Sequence, residues 1–246
     1  MLMALELISM IYLLPDKREK RLVLVGSVWL ILFLNWLLPH SSKEVLILFF
    51  LVWFTYFLAT AERYDVRGSS HGVVAVDGMP AFQRHFHELV WSLFALVYAG
   101  LLIGYIPIVR EGLNGLYWSI LFFLVVWVGD TAAYFGGLRY GKTKLYPVIS
   151  PGKSVEGAVA ALLGSLVVGL LFKLLVFKKL TVLGCVSTVV VLSLASQCGD
   201  LCESYIKRVF GVKDSSQILP GHGGVLDRFD GVLFAAPFLY ICTKIF

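Results

Sequence analysis

The feature that most constrains this chain is its alternation of long uncharged apolar runs with short charged islands. The uncharged runs occupy 22–38, 45–61, 89–109, 113–129, 157–172 and 180–199. A bilayer core of about 30 Å takes roughly 20 residues of helix, because each residue rises about 1.5 Å. Inside lipid the backbone N–H and C=O groups must be satisfied within the segment, so these runs read as six spanning helices. The terminal runs 1–14, containing Glu6, and 231–246, containing Lys244, add a seventh and an eighth. The expected fold is all-α, a polytopic integral membrane helical bundle of about eight transmembrane helices. It divides into N-terminal membrane helices (1–110) and a C-terminal catalytic membrane domain (111–246) carrying polar loops at 139–156 and 200–230.

Only 15% of the residues are charged and 59% are hydrophobic, against about 25% charged in soluble domains. A water-soluble globule, a disordered chain and a collagen-like repeat are all excluded. The net charge of +5 raises nucleic acid as a partner, but the charges sit in islands that flank membrane helices, so none is expected. Alternating the loops across the bilayer puts 15 Lys and Arg on one side and 5 on the other. That side is cytoplasmic, and it holds the polar segments 62–88, 139–156 and 200–230. No charged n-region and cleavage site precede residue 22, so no removed signal peptide is expected. Cys185, Cys198, Cys202 and Cys242 are too sparse for a disulfide scaffold and read as small buried hydrophobes.

The densest polar constellation runs from 200 to 230. On one helix Asp200, Glu203, Ser204 and Lys207 share a face. Beyond them, Pro220, Gly221, Gly223 and Gly224 form a low-bulk turn whose N–H groups can approach an anion. Asp227, Arg228 and Asp230 follow. Hard carboxylate oxygens suit Mg²⁺, which takes one or two protein carboxylates plus water and phosphate. Asp200 and Asp227 are the expected ligands, with Lys207, Lys213 and Arg228 balancing phosphate charge.

A second island surrounds Asp130, which is embedded in an apolar run and is a functional candidate for that reason, the alternative being a cap at a helix end. Gly136, Gly141, Lys142 and Thr143 satisfy the P-loop spacing, but they follow a membrane helix rather than a buried strand, so a P-loop fold is not expected. The stretch 150–157 reads as a turn into the next helix, with Ser154 as its N-cap. A polyphosphate can rest at such an N-terminus. His71, His85 and His87 read as part of an exposed polar loop rather than a metal site.

These residues resemble the CDP-diacylglycerol synthases, also called phosphatidate cytidylyltransferases. Ser204, Lys207, Arg208, Lys213, Asp214, Ser216, Leu219, Pro220, His222, Gly223, Gly224, Val225, Asp227, Arg228, Phe229 and Asp230 fill the fixed positions of that family's signature. Gly129, Asp130, Thr131, Ala133, Tyr134 and Phe135 match a second segment, and Ser150, Pro151, Lys153, Ser154, Glu156 and Gly157 a third. The resemblance covers about 127–246. Family members usually begin with a further helix, so the chain is expected to be one helix short of nine.

The resemblance implies a multi-pass enzyme of a bacterial inner membrane, its active-site loops cytoplasmic, joining CTP and phosphatidic acid to give CDP-diacylglycerol and pyrophosphate with Mg²⁺ and room for a second cation. A homodimer is expected by the same analogy. Asp200, Asp227, Lys207 and Arg228 take the catalytic roles, with metal on Asp200 and Asp227. Asp130, Lys142, Lys144, Ser150, Lys153, Ser154, Glu156, Glu203, Ser204, Arg208, Lys213, Asp214, His222, Gly223, Gly224 and Asp230 take substrate-binding roles. Phosphatidate is already anionic, so no strong general base is needed and His222 reads as a phosphate or ribose contact. The pattern of the CDP-alcohol phosphotransferases is echoed only by Asp77, Gly78 and Ala81, with Phe82 where that family needs Arg. Two alternatives stay open, a CTP-dependent lipid kinase and a cation-coupled transporter built on Asp130 and Lys173.

Overall fold

A computed structural model describes residues 2–11, 18–37, 51–53, 55, 81–216, 218 and 223–246. The elements are α1 (Leu2–Ile11), α2 (Arg18–Leu37), α3 (Ala81–Ala95), a π-helical stretch (Leu96–Leu101), α4 (Leu102–Glu111), α5 (Gly115–Tyr140), β1 (Lys144–Tyr146), β2 (Ser150–Ser154), α6 (Val155–Leu175), α7 (Val182–Val209) and α8 (Leu226–Ile245). Most of the expected helix at 45–61 lies outside the described residues, as do His71, Asp77, Gly78 and 219–222, including His222. Among the described residues four helices are long and apolar enough to cross a membrane, Phe86–Glu111, Gly115–Tyr140, Val155–Leu175 and Val182–Val209. The protein is thus an all-α, multi-pass membrane bundle.

The chain divides into two compact units, Met1–Leu101 and Leu102–Phe246. In the first, α1 packs on α2 and α3 through Leu7, Ile8, Leu24, Val28 and Ile31, all buried. In the second, Leu121, Phe122, Val125, Cys185, Val189, Leu192, Val232, Ala236 and Leu239 form the core of α5, α7 and α8.

Helices in lipid approach closely only where side chains are small. Along α5 and α6 a Cβ on Gly129 would strike Ser165 Oγ, one on Gly136 would strike Ala160 Cβ, and one on Gly164 would strike Ala132 Cβ. Ser165 Oγ uses the contact to donate to the Val125 carbonyl at 2.8 Å. Between α7 and α8, Gly199 meets Phe234 Cβ and the Asp230 carbonyl, and Gly231 meets Ser196. Each glycine adjoins an acidic residue, so this crossing brings the Asp200 and Asp230 backbones together.

Three local outcomes refine the sequence reading. The stretch from Lys144 to Ser154 is an antiparallel hairpin, with Lys144 opposite Ser154 and Tyr146 opposite Ser150; its strands are too short and too rich in Pro and Gly to alternate visibly. Helix α7 continues through Val209, so the first ten residues of the expected loop 200–230 are helical. Buried Glu203, Ser204 and Ile206 extend its packed face past the apolar run. Asp130 lies well inside α5, which rules out the end-capping alternative.

Candidate active site

Four elements converge at one end of the second unit: the last part of α5, the β1–β2 hairpin with the start of α6, the last turns of α7, and the start of α8. The chain folds this way because both hairpin junctions are fixed by local bonds. Gly141 N donates to the Gly137 carbonyl at 3.0 Å, ending α5. Ser154 Oγ accepts from Gly157 N at 3.1 Å, starting α6 as its N-cap. Its hydroxyl is therefore engaged in capping.

The first three of these elements line an open cavity of about 430 Å³. Its polar wall comprises Asp130, Lys153, Ser154, Gln197 and Asp200, and its apolar wall includes Ala133, Tyr134, Leu138, Leu145 and Ala158. Lys153 reaches in from β2, and its ammonium sits 2.5 Å from Asp200 Oδ2. Asp130 interacts electrostatically with both Asp200 and Lys153, and Asp230 does so with Asp200 and Glu203. Gln197, one turn before Asp200, donates from Nε2 to Ser193 Oγ at 3.3 Å. Sequence reasoning missed Gln197; its only signal was a helical offset of three from Asp200 within an apolar run.

A second cluster joins α7 to α8. Glu203, only 1% exposed, places Oε2 2.6 Å from Lys207 Nζ. The same ammonium donates to Asp227 Oδ1 at 2.7 Å. Asp227 also accepts from Ser215 N (3.0 Å), Ser215 Oγ (2.9 Å) and Gly224 N (2.7 Å) on Oδ2. Asp227 lies in the first turn of α8, ahead of the apolar stretch. Burial alone would raise its pKa, but bonds from Lys207, Gly224 and Ser215 outweigh it and hold the carboxyl down to about 2. Gly223, at φ +76°, would set a Cβ 2.8 Å from Asp227 Oδ2, so both its backbone angle and this approach require glycine.

The remaining expected site residues are spread around these clusters. Both Glu156 oxygens accept backbone N–H groups, Oε1 from Thr143 at 3.1 Å and Oε2 from Lys142 at 3.1 Å. Arg208 donates from Nε to the Ile149 carbonyl (3.2 Å) and from Nη1 to the Val212 carbonyl (3.3 Å). Ser150 is half-buried and Ser204 buried, while Lys142, Lys144, Lys213, Asp214 and Arg228 are exposed. Gly136 lies within α5, packed on Ala160, and two short strands follow Lys142 and Thr143, so the P-loop spacing has no strand-to-helix turn around it. Asp200 and Asp227, expected as one metal pair, each hold their own lysine.

Among the described residues no group of three or more His, Cys, Asp or Glu side chains is arranged to hold a metal ion. Mg²⁺ does not require one, since it takes one or two carboxylates and completes its shell with water and phosphate. Asp130 and Asp200 share a single lysine, Lys153. That excess of hard anionic donors fits a divalent cation. Asp227 fits it only if Lys207 gives up Oδ1.

Fold and site together define a multi-pass membrane protein with ionisable groups gathered at and beside a cavity in its second unit. The chain belongs to the Cytidylyltransferase family, whose profile matches residues 1–246. It is 45% identical over 156 residues to a phosphatidate cytidylyltransferase of Staphylococcus saprophyticus. It is 44% identical over the same length to those of Staphylococcus haemolyticus and Staphylococcus aureus. Each alignment covers 63% of this chain and 59% of the relative, so the chain matches rather more than half the length of these curated relatives.

Proposed function

We propose that this chain is a CTP:phosphatidate cytidylyltransferase, joining CTP and phosphatidic acid to give CDP-diacylglycerol and pyrophosphate at the cytoplasmic face of a bacterial inner membrane. The observation that carries the reading is the Lys153–Asp200 pair at the polar wall of a mainly apolar cavity, in a chain 45% identical to a phosphatidate cytidylyltransferase. An anionic phosphate competes with Asp200 for the Lys153 ammonium, and the apolar wall suits the glycerolipid that carries it. An oxygen of the lipid phosphate forms the new P–O bond at the α-phosphorus of CTP, and the bond to pyrophosphate breaks in line. The nucleophile is already an anion near neutral pH, so the residues must orient and neutralise rather than remove a proton.

Asp200, with Asp227 once Lys207 shifts, would hold Mg²⁺. When bound, such an ion neutralises charge on the phosphates and acts as a Lewis acid. Lys207, once it leaves Asp227, and Arg228 would balance the charge of the phosphates, and a homodimer remains the expected assembly. The test is to incubate detergent-purified protein with CTP, phosphatidate and Mg²⁺, with and without EDTA, and to follow lipid-linked CMP and pyrophosphate. Metal-dependent appearance of both is expected. A lipid that gains phosphate without CMP would replace the reading with a CTP-dependent lipid kinase.

A further inference from the structure

We infer that Glu156 and Arg208, both placed by sequence among the substrate ligands, are positioning residues that pin the β1–β2 hairpin so that Lys153 is held in the cavity. The inference rests on the reading of that cavity as the anionic-substrate site.

Two short paired strands do not hold their own shape in water, where an isolated hairpin is marginal at best. This one is fastened at both ends. At its base, Glu156 in the first turn of α6 accepts from Lys142 N (3.1 Å) and from Thr143 N (3.1 and 3.2 Å). Val155 N closes the same junction on the Thr143 carbonyl at 2.9 Å. At its tip, Arg208 from α7 donates to the Ile149 carbonyl at 3.2 Å. Between the two pins β2 presents Lys153, whose ammonium pairs with Asp200.

Neither pin belongs to the cavity wall. Both Glu156 oxygens are occupied by amides, and a carboxylate repels the phosphates it would have to bind. Ser154 already caps α6, and the amides that Glu156 holds lie 13 and 14 residues upstream, so its bonds are long-range ties rather than helix capping. Two of the five Arg208 N–H donors are engaged on carbonyls that fix loops. The two residues thus act on substrate through Lys153.

A double-mutant cycle with a protease readout tests this. Glu156→Gln keeps one acceptor and loses the other, so it should raise the KM for CTP or phosphatidate about ten-fold, with kcat changed less than about two-fold. In a Lys153→Ala background the same substitution should add nothing further, because the residue it positions is gone. Trypsin should cut after Lys142 or Lys144 several-fold faster in Glu156→Gln at an unchanged global unfolding temperature. Multiplicative effects in the double variant, or wild-type resistance to trypsin, would overturn the assignment. If the wild-type protein makes no CDP-lipid, the proposed function fails while the trypsin comparison still decides the hairpin. If Glu156→Gln does not fold, Arg208→Gln repeats both measurements at the tip.

Discussion

Replacing Gly199 by Ala tests the claim that the α7–α8 crossing builds the site. The added methyl would lie 2.5 Å from Phe234 Cβ, 2.8 Å from the Asp230 carbonyl oxygen and 3.2 Å from the Gly231 Cα. Carbon atoms in contact sit at about 3.5–4.0 Å, so the helices must part by roughly 1 Å. None of the three obstacles can rotate away, since one is a Cβ and two are backbone. Overpacking of this kind costs about 1–3 kcal/mol, reduced by the up to about 1 kcal/mol that Ala gains over Gly inside a helix. The parting also separates Asp200 from Asp230, so cytidylyl transfer should fall by more than the loss of folded protein explains. Intrinsic-fluorescence melting in detergent, run beside a turnover assay, reads both effects. Phe234→Ala should give no rescue, because its Cβ stays. By contrast, Gly231→Ala, which meets Ser196 Oγ first, should be relieved by Ser196→Ala. Gly26→Ala, with open space around it, is the control and should not destabilise. A Gly199→Ala protein with wild-type melting and turnover would refute the packing argument.

Asp200→Asn should lower turnover at least about a hundred-fold at saturating Mg²⁺ without loss of fold, checked by titrating Mg²⁺ against rate and melting temperature. The depressed Asp227 carboxyl stabilises the fold fully above its ordinary value of 3.8, and that contribution is lost as pH falls toward about 2. Unfolding followed between pH 5 and 2 should therefore be less pH-dependent in Asp227→Asn than in the wild type, and parallel curves would disprove this. Lys142→Ala should raise the CTP concentration needed for half-maximal rate several-fold, since the exposed ammonium is free to meet phosphate while its backbone N–H stays on Glu156; an unchanged requirement would leave the lysine as a topology anchor.

What the sequence made legible follows the range of each interaction. Membrane helices announce themselves because every residue in a run reports the same solvent, and the shared face of Asp200, Glu203 and Lys207 follows from helical period alone. The pairing of Lys153 with Asp200 spans 47 positions and depends on a hairpin that leaves no periodic trace, so spacing could nominate both residues without joining them. Glu156 and Arg208 drew attention through charge next to phosphate-like motifs, yet their bonds run to backbone groups that every residue carries. Backbone partners cannot be read from side-chain identity. Gln197, bonded to the side chain of Ser193, stayed hidden for a different reason, as a single uncharged polar residue among apolar neighbours.

The length of α7 has its own consequence. Its 28 residues rise about 42 Å, about 12 Å more than a hydrocarbon core. A helix whose Val182 end is flush with one surface therefore acts as a depth gauge, leaving roughly its last eight residues beyond the acyl chains at the other. Asp200 then stands at the boundary, and Glu203 through Lys207 stand in the headgroup layer where the phosphates of neighbouring lipids already lie. A lipid arriving by lateral diffusion would bring its phosphate to the depth of this row without being lifted from its leaflet.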